Sequence, residues 1–233
     1  MIAIVPARGG SKGIPGKNIK IFCGKPLIYY TISEALKSKL ITEIIISTDS
    51  LEIAETAKGF GAKCPFIRPS ELATDNAKAI DNYIYTVKKL NDDYNYSEDE
   101  FIVLQPTSPL RTVFDIDNAI NLFIEKSADS VISVTEFDHP IEWAKIIESD
   151  GRLRNYFQSE TNSNLNRQEL QTSYRPNGAI FVFKFELLFN NYSYYSENTF
   201  GYKMSSENSI DIDTELDFEF AEYIMRKRNN ECK

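Results

Sequence analysis

The chain is predicted to be an α/β domain, a mostly parallel β-sheet with helices on both faces. Three observations predict it. Short apolar runs alternate with longer amphipathic stretches through the first two-thirds of the 233 residues, and such interleaving is the mark of β-α-β units. Hydrophobic residues are 42% and charged residues 26% of the chain, so a globular core can be built. The length suits one large domain with at most a small appendage, and the sequence shows no internal repeat or linker. A single domain over residues 1–233 is therefore expected.

The elements follow in order. Ile2–Val5 is the first strand. Pro26 suits the first turn of a helix, with an apolar face read from Ile28, Ile32, Leu36 and Leu40. Glu43–Thr48 is a buried strand, and Leu51–Phe60 is a helix stopped by Gly61. Lys63–Ile67 is read as a short strand, and Ile80, Tyr83, Ile84 and Val87 mark another helical face. Phe101–Gln105 is a strand ending at Pro106. Thr112 with Asp115 caps a helix running through Phe123 and Ile124. Ser130–Val134 and Gly178–Phe183 are strands, and Leu216, Phe220, Tyr223 and Ile224 give Thr214–Arg228 a helical face. Between the last two strands, Gln158–Ser173 is rich in Asn, Gln, Ser and Thr. A loop of that length is either functional or unstructured. In a parallel sheet, ligands bind beyond the carboxyl ends of the strands, so the chemistry is sought after Val5, Thr48 and Gln105.

Composition excludes several functions. The net charge is −8, which argues against general binding of nucleic acid or membrane. No apolar run reaches the length needed to span a bilayer, and the N-terminus lacks a signal-peptide pattern. Cys23, Cys64 and Cys232 form neither a disulfide framework nor a zinc site, which fits reduced thiols in the cytoplasm. His139 is the only histidine, which excludes a two-histidine metal site.

Charge is distributed unevenly. Residues 1–33 hold Arg8, Lys12, Lys17, Lys20 and Lys25 and no acid. Gly9, Gly10, Gly13 and Gly16 lie among them, just after a strand. Glycines let backbone N–H groups turn inward around an anion, and the cations neutralise it. The spacing matches neither a Walker A loop nor a dinucleotide fingerprint, and an ordinary solvated turn remains the other reading. The opposite pole, Glu207–Glu222, carries seven acids and no base. In Ser209-Ile210-Asp211-Ile212-Asp213-Thr214, an extended backbone would send both isoleucines to the core and both aspartates to the other side. Such a pair suits Mg²⁺ held jointly with substrate phosphates; the other reading makes Asp213 a helix cap and leaves Asp211 solvated. Together the two poles suggest phosphoryl or nucleotidyl transfer.

The segment Arg8-Gly9-Gly10-Ser11-Lys12-Gly13-Ile14-Pro15-Gly16-Lys17-Asn18 resembles the signature loop of the acylneuraminate cytidylyltransferases, the CMP-sialic acid synthetases and their bacterial relatives. Further blocks resemble that family in order: Arg68–Asp75, Leu104–Arg111, Arg175–Ile180 and Ser209–Asp217. The likeness covers nearly the whole chain. It implies a Rossmann-like, GT-A-like nucleotidyltransferase fold. The implied reaction moves CMP from CTP to the anomeric hydroxyl of a nine-carbon 2-keto sugar acid of the N-acylneuraminate or legionaminate type, releasing pyrophosphate.

The resemblance also implies roles. Arg8, Ser11, Lys12, Lys17 and Asn18 would hold the triphosphate, with Lys12 stabilising charge on the α-phosphate. Arg68 and the backbone around Ala77 and Ala79 would read the base; many relatives carry serine where Ala79 stands. Gln105 would meet the sugar acid, with Ser108 and Arg111 supporting its loop. Lys145, Arg167, Gln168, Arg175 and Asn177 would serve the sugar side, an Arg fork suiting its carboxylate. Asp211 and Asp213 would hold Mg²⁺, and Lys12, Asp211 and Arg8 form the catalytic set, Asp211 accepting the proton. Residues 137–175 would be a small dimerisation excursion reaching the neighbouring subunit's sugar site, giving a homodimer in the cytoplasm. His139 is read as structural or sugar-proximal, and Trp143 as a core residue or an acyl-group contact. Pseudaminic acid or Kdo is the alternative acceptor, and a non-catalytic nucleotide-binding module is the alternative of another class.

Overall fold

A computed structural model describes residues 1–11, 13–157 and 170–231. The strands and helices are β1 (Ile2–Pro6), β2 (Ile21–Phe22), β3 (Lys25–Pro26), α1 (Leu27–Lys37), β4 (Glu43–Ser47), α2 (Leu51–Lys58), α3 (Ala79–Tyr94) and β5 (Glu100–Leu104). They continue as α4 (Val113–Glu125), β6 (Ser130–Glu136), β7 (Lys145–Ile147), β8 (Leu153–Asn155), β9 (Tyr174–Lys184), α5 (Phe185–Asn191), β10 (Thr199–Lys203) and α6 (Glu215–Glu231). Six strands form the main sheet in the order β10-β6-β9-β5-β1-β4. All run parallel except β9, which lies antiparallel between β5 and β6.

Alternation along β1 shows how both faces are covered. Ala3 and Val5 point to a core shared with Ile28 and Ile32 of α1, Ile53 of α2 and Ile116 and Ile120 of α4. Ile2 and Ile4 point the other way, to Ile80, Tyr83 and Val87 of α3 and Leu188 of α5. Strands buried on both faces read as continuous apolar runs, as Ile-Ile-Ile in β4 does. A third cluster joins distant parts of the chain. Ile14 of the glycine-rich loop packs with Phe22, Leu27, Leu110, Ile212 and Phe218. Burying such a side chain contributes roughly 1.5–3 kcal/mol, so apolar packing holds the basic loop against the acidic segment.

Three sequence expectations are corrected. Lys63–Ile67 is not a strand; Lys63 makes one isolated bridge to Ile45, and Pro65 cannot extend a ladder. The stripe on α1 ends early: Ile28 and Ile32 are buried, Leu36 is exposed and the helix stops at Lys37. Steps of four advance 40° beyond each full turn, which carries the stripe off the buried face. On α6 the buried residues are Phe218 and Ala221, whereas Leu216, Phe220 and Tyr223 are exposed. The capping box expected at Thr112 and Asp115 is present. In the excursion, β7 and β8 form a two-stranded antiparallel ribbon. Among the described residues no helix is long and apolar enough to cross a membrane.

Candidate active site

A cleft of about 510 Å³ opens where β1 and β5 end. The basic loop leaves β1 and is fixed from below. The Ala7 N–H donates to the Ser47 carbonyl (3.0 Å), the Gly9 N–H to Oδ1 of Asp49 (2.9 Å) and the Asn18 amide to the Arg8 carbonyl (2.9 Å). Arg8, Ser11, Gly13, Lys17 and Asn18 all line the cleft. Arg8 reaches across its mouth to the Asp75 carboxylate (3.1 Å) and the Thr74 carbonyl (3.3 Å). Lys12 lies outside the described residues.

The acidic segment forms the facing wall. The Ile212 N–H donates to the Thr107 carbonyl (2.9 Å), and its side chain is fully buried. Asp211 and Asp213 flank it. The final helix is capped by Thr214, whose hydroxyl accepts from the Asp217 N–H (3.3 Å), while the Asp217 carboxylate accepts from the Thr214 N–H (2.7 Å). Asp213 is therefore not the cap. The two poles touch. Lys17 donates to the Ile212 carbonyl and lies 3.3 Å from the Asp213 carboxylate. At Gly13, a Cβ would sit 2.2 Å from the Asp213 carbonyl oxygen, so only glycine permits this approach.

Asp211 is the more enclosed carboxylate. Burial raises its pKa above the ordinary aspartate value; the nearby Asp213 adds to this, while a Thr107 hydrogen bond and Lys17 oppose it. Its Oδ1 is buried with no hydrogen-bond partner among the described residues. An orphaned, desolvated carboxylate oxygen beside a second carboxylate fits a divalent cation. No group of three or more His, Cys, Asp or Glu among the described residues is placed to hold a metal ion, so such a cation would complete its shell with phosphate oxygens and water.

The other end of the cleft is lined by Arg68, Ala77, Lys78, Ala79, Asn82 and Tyr83. Arg68 is buried, its Nε has no partner among the described residues, and desolvation lowers its pKa. Burial raises the pKa of the Tyr83 hydroxyl, which bonds to Gln105. Gln105 also lines the cleft. Gly178, at φ +76°, brings backbone close to Gln105 and Asp211: a Cβ there would lie 3.3 Å from Oε1 of Gln105 and 3.6 Å from Oδ2 of Asp211.

The remaining sugar-side candidates among the described residues do not line this cleft. Arg111 is buried and donates to the carbonyls of Gln105 (3.2 Å) and Ala179 (2.7 Å) and to the Thr31 hydroxyl (2.7 Å). It thus ties the Gln105 loop to β9 and α1 from behind. Ser108 is fully buried behind the same loop. Asn177 is buried, bonded to the Ser133 hydroxyl and donating to Ser209 (2.8 Å). Lys145 is exposed on β7 and donates to Asn155 (2.5 Å). Arg175 is exposed on β9. Arg167 and Gln168 lie outside the described residues. His139 stacks on Trp143 at 6.0 Å between ring centroids, and Trp143 is partly exposed.

Sequence reasoning missed Asp49, which accepts from Gly9 and lies 3.9 Å from Arg68. Its position just after a strand was the available signal. It also missed Asn82, hidden in a helix read only for its apolar face.

A mostly parallel sheet whose glycine-rich cationic loop meets one aspartate at a cleft, with a second aspartate buried nearby, defines a nucleotidyltransferase. A family model described as "Cytidylyltransferase" matches residues 2–231, and the chain belongs to that family. It is 37% identical over 229 residues to the CMP-N,N'-diacetyllegionaminic acid synthase of Legionella pneumophila, covering 97% of this chain and 96% of that protein. Identity to the N-acylneuraminate cytidylyltransferase of Escherichia coli is 36%, over 99% of this chain but only 53% of that longer protein. To the pseudaminic acid cytidylyltransferase of Campylobacter jejuni it is 35%, over 99% of this chain and 97% of that protein. The fold also matches a CMP:2-keto-3-deoxy-manno-octonic acid synthetase solved with CTP, at TM-score 0.72 and 17% identity over 97% of this chain and 98% of that one.

Proposed function

We propose that the protein transfers CMP from CTP to the anomeric hydroxyl of a nonulosonic acid of the neuraminate or legionaminate type. The observation that carries this reading is the meeting of the two poles: Gly13 and Lys17 lie against Asp213, and nearby the Oδ1 of Asp211 has no partner among the described residues. Arg8, Ser11, Lys17 and Asn18 bind the triphosphate, and Lys12 stabilises the charge that builds on the α-phosphate. Arg68, Ala77 and Ala79 hold the base, and Gln105 faces the acceptor. The anomeric oxygen attacks the α-phosphorus in line, the bond to the pyrophosphate oxygen breaks, and Asp211 accepts the hydroxyl proton. Asp211 and Asp213 would hold Mg²⁺, which would neutralise phosphate charge and acidify the attacking hydroxyl.

The excursion supports a homodimer in which Lys145, Arg167, Gln168 and Arg175 serve a composite sugar site. Its ribbon exposes Ile147, Leu153, Tyr156 and Phe157, more apolar surface in one place than a lone ribbon needs. A CTP-dependent reaction fits the cytoplasm. The test is pyrophosphate release from CTP and Mg²⁺ with a panel of neuraminic, legionaminic and pseudaminic acids and Kdo. Release with a neuraminate or legionaminate acceptor is expected. Release only with Kdo or pseudaminic acid would move the acceptor assignment, and none with any acid would overturn it. For Lys12→Ala, turnover should fall steeply; a change confined to substrate affinity would contradict its role at the α-phosphate.

A further inference from the structure

We propose that Asn82 selects cytosine over uracil; the inference deepens the proposed function and rests on its placing of the base beside Arg68. Asn82 lies in the first turns of α3 and lines the same end of the cleft as Arg68 and Ala79. Only 4% of it is exposed. Beneath it lie two buried hydroxyls. The Ser47 hydroxyl donates to Oδ1 of Asn82 (2.7 Å) and lies 2.8 Å from the Thr86 hydroxyl, which donates to the Asn82 carbonyl (2.7 Å). Ser47 and Thr86 are both fully buried. The amide's acceptor is thus spent inward, and its two N–H donors are left for the cleft.

Arg68 is anchored next door. Its backbone N–H donates to the carbonyl of Thr48 (2.7 Å), the residue following Ser47. Its guanidinium lines the cleft and carries donors only. Both side chains present donors to a ring, and neither offers a free acceptor. Cytosine presents two adjoining acceptors, N3 and O2. Uracil keeps O2 but carries a hydrogen on N3, which would oppose a donor. With alanine at position 79, no hydroxyl stands there to accept a proton from the ring, and discrimination falls to the donor wall.

Asn82→Asp keeps the shape and the Ser47 bond and replaces the outward donors with an acceptor. Calorimetry should show CTP binding weakened about 100-fold and UTP binding less than about tenfold, so the CTP-to-UTP preference drops at least about tenfold. Ser47→Ala is the second variant, which removes the shorter of the two hydroxyl contacts on Oδ1 and leaves Thr86 at 3.3 Å, without entering the cleft. Its preference should drop about threefold or more, with thermal melting confirming the fold. A parental CTP-to-UTP ratio in the folded Ser47→Ala protein, or in folded Asn82→Asp, would overturn the proposal. So would equal losses for both nucleotides. Binding needs no acceptor: CTP binding without pyrophosphate release on the acid panel would count against the acceptor assignment and leave this result standing.

Discussion

The proposed nucleotide end of the cleft and the proposed acceptor end are built differently. At the nucleotide end, a buried core cluster, backbone hydrogen bonds and a glycine contact hold the basic loop against the carboxylate pair. At the acceptor end, Lys145 and Arg175 stand exposed on strands away from the cleft, and Arg111 and Asn177 are spent inside the core. The first end is thus preorganised within one chain, while in the proposed reading a second copy encloses the acceptor side. The largest effects of substitution should fall at the first end, and effects on assembly at the second.

Asp211→Asn tests this most severely. Pyrophosphate release should drop about 1000-fold or more with the fold intact; activity near the parent's would remove Asp211 from the chemistry. Gly13→Ala comes next. Its Cβ must part the loop from the Asp213 carbonyl, and such a displacement should cost about 100-fold in kcat/KM. A parental rate would show that the two walls need not touch. Arg111→Met separates support from contact. It leaves the Gln105 and Ala179 carbonyls unpaired, so urea unfolding should show a loss of about 2–5 kcal/mol. A raised KM for the sugar acid at unchanged stability would instead make Arg111 a direct ligand.

A double change in the ribbon, Ile147→Asp with Leu153→Asp, should yield monomers by sedimentation and raise the KM for the sugar acid about tenfold. CTP affinity should stay within about twofold of the parent. A monomeric parent would defeat the composite-site reading. The smallest effect is expected at Asp129, whose carboxyl Lys184 and Ser196 hold below the usual aspartate value. A depressed carboxyl pKa stabilises the fold above the unfolded value, and that stability is lost as the pH falls through the folded value. Asp129→Asn should cost about 0.5 kcal/mol at pH 7, because the pair is partly exposed, with the difference vanishing on acidification.

The sheet was legible in the sequence because parallel strands are apolar on both faces, and the blocks Arg8–Asn18 and Leu104–Arg111 fall at the carboxyl ends of β1 and β5. The antiparallel course of β9 was not, since its residues are as apolar as those of a parallel strand. Helix α6 misled because Leu216, Phe220 and Tyr223 face outward, while Phe218 and the smaller Ala221 pack inward. The basic loop and Asp211–Asp213 could be read from charge alone, and the charge pattern anticipated their meeting. Asn82 and Asp49 could not, because their significance lies in which atom each hydroxyl or N–H engages. For Arg111 and Asn177, chemical type suggested a sugar ligand, whereas burial decides where their donors go.

The central claim is that both poles grip one polyphosphate through a divalent cation. Calorimetric titration of CTP, with and without Mg²⁺, should be run on the parent and on Asp211→Asn/Asp213→Asn. Mg²⁺ should tighten CTP binding by about tenfold or more in the parent and by less than about twofold in the double variant. Equal tightening in both proteins would contradict the account.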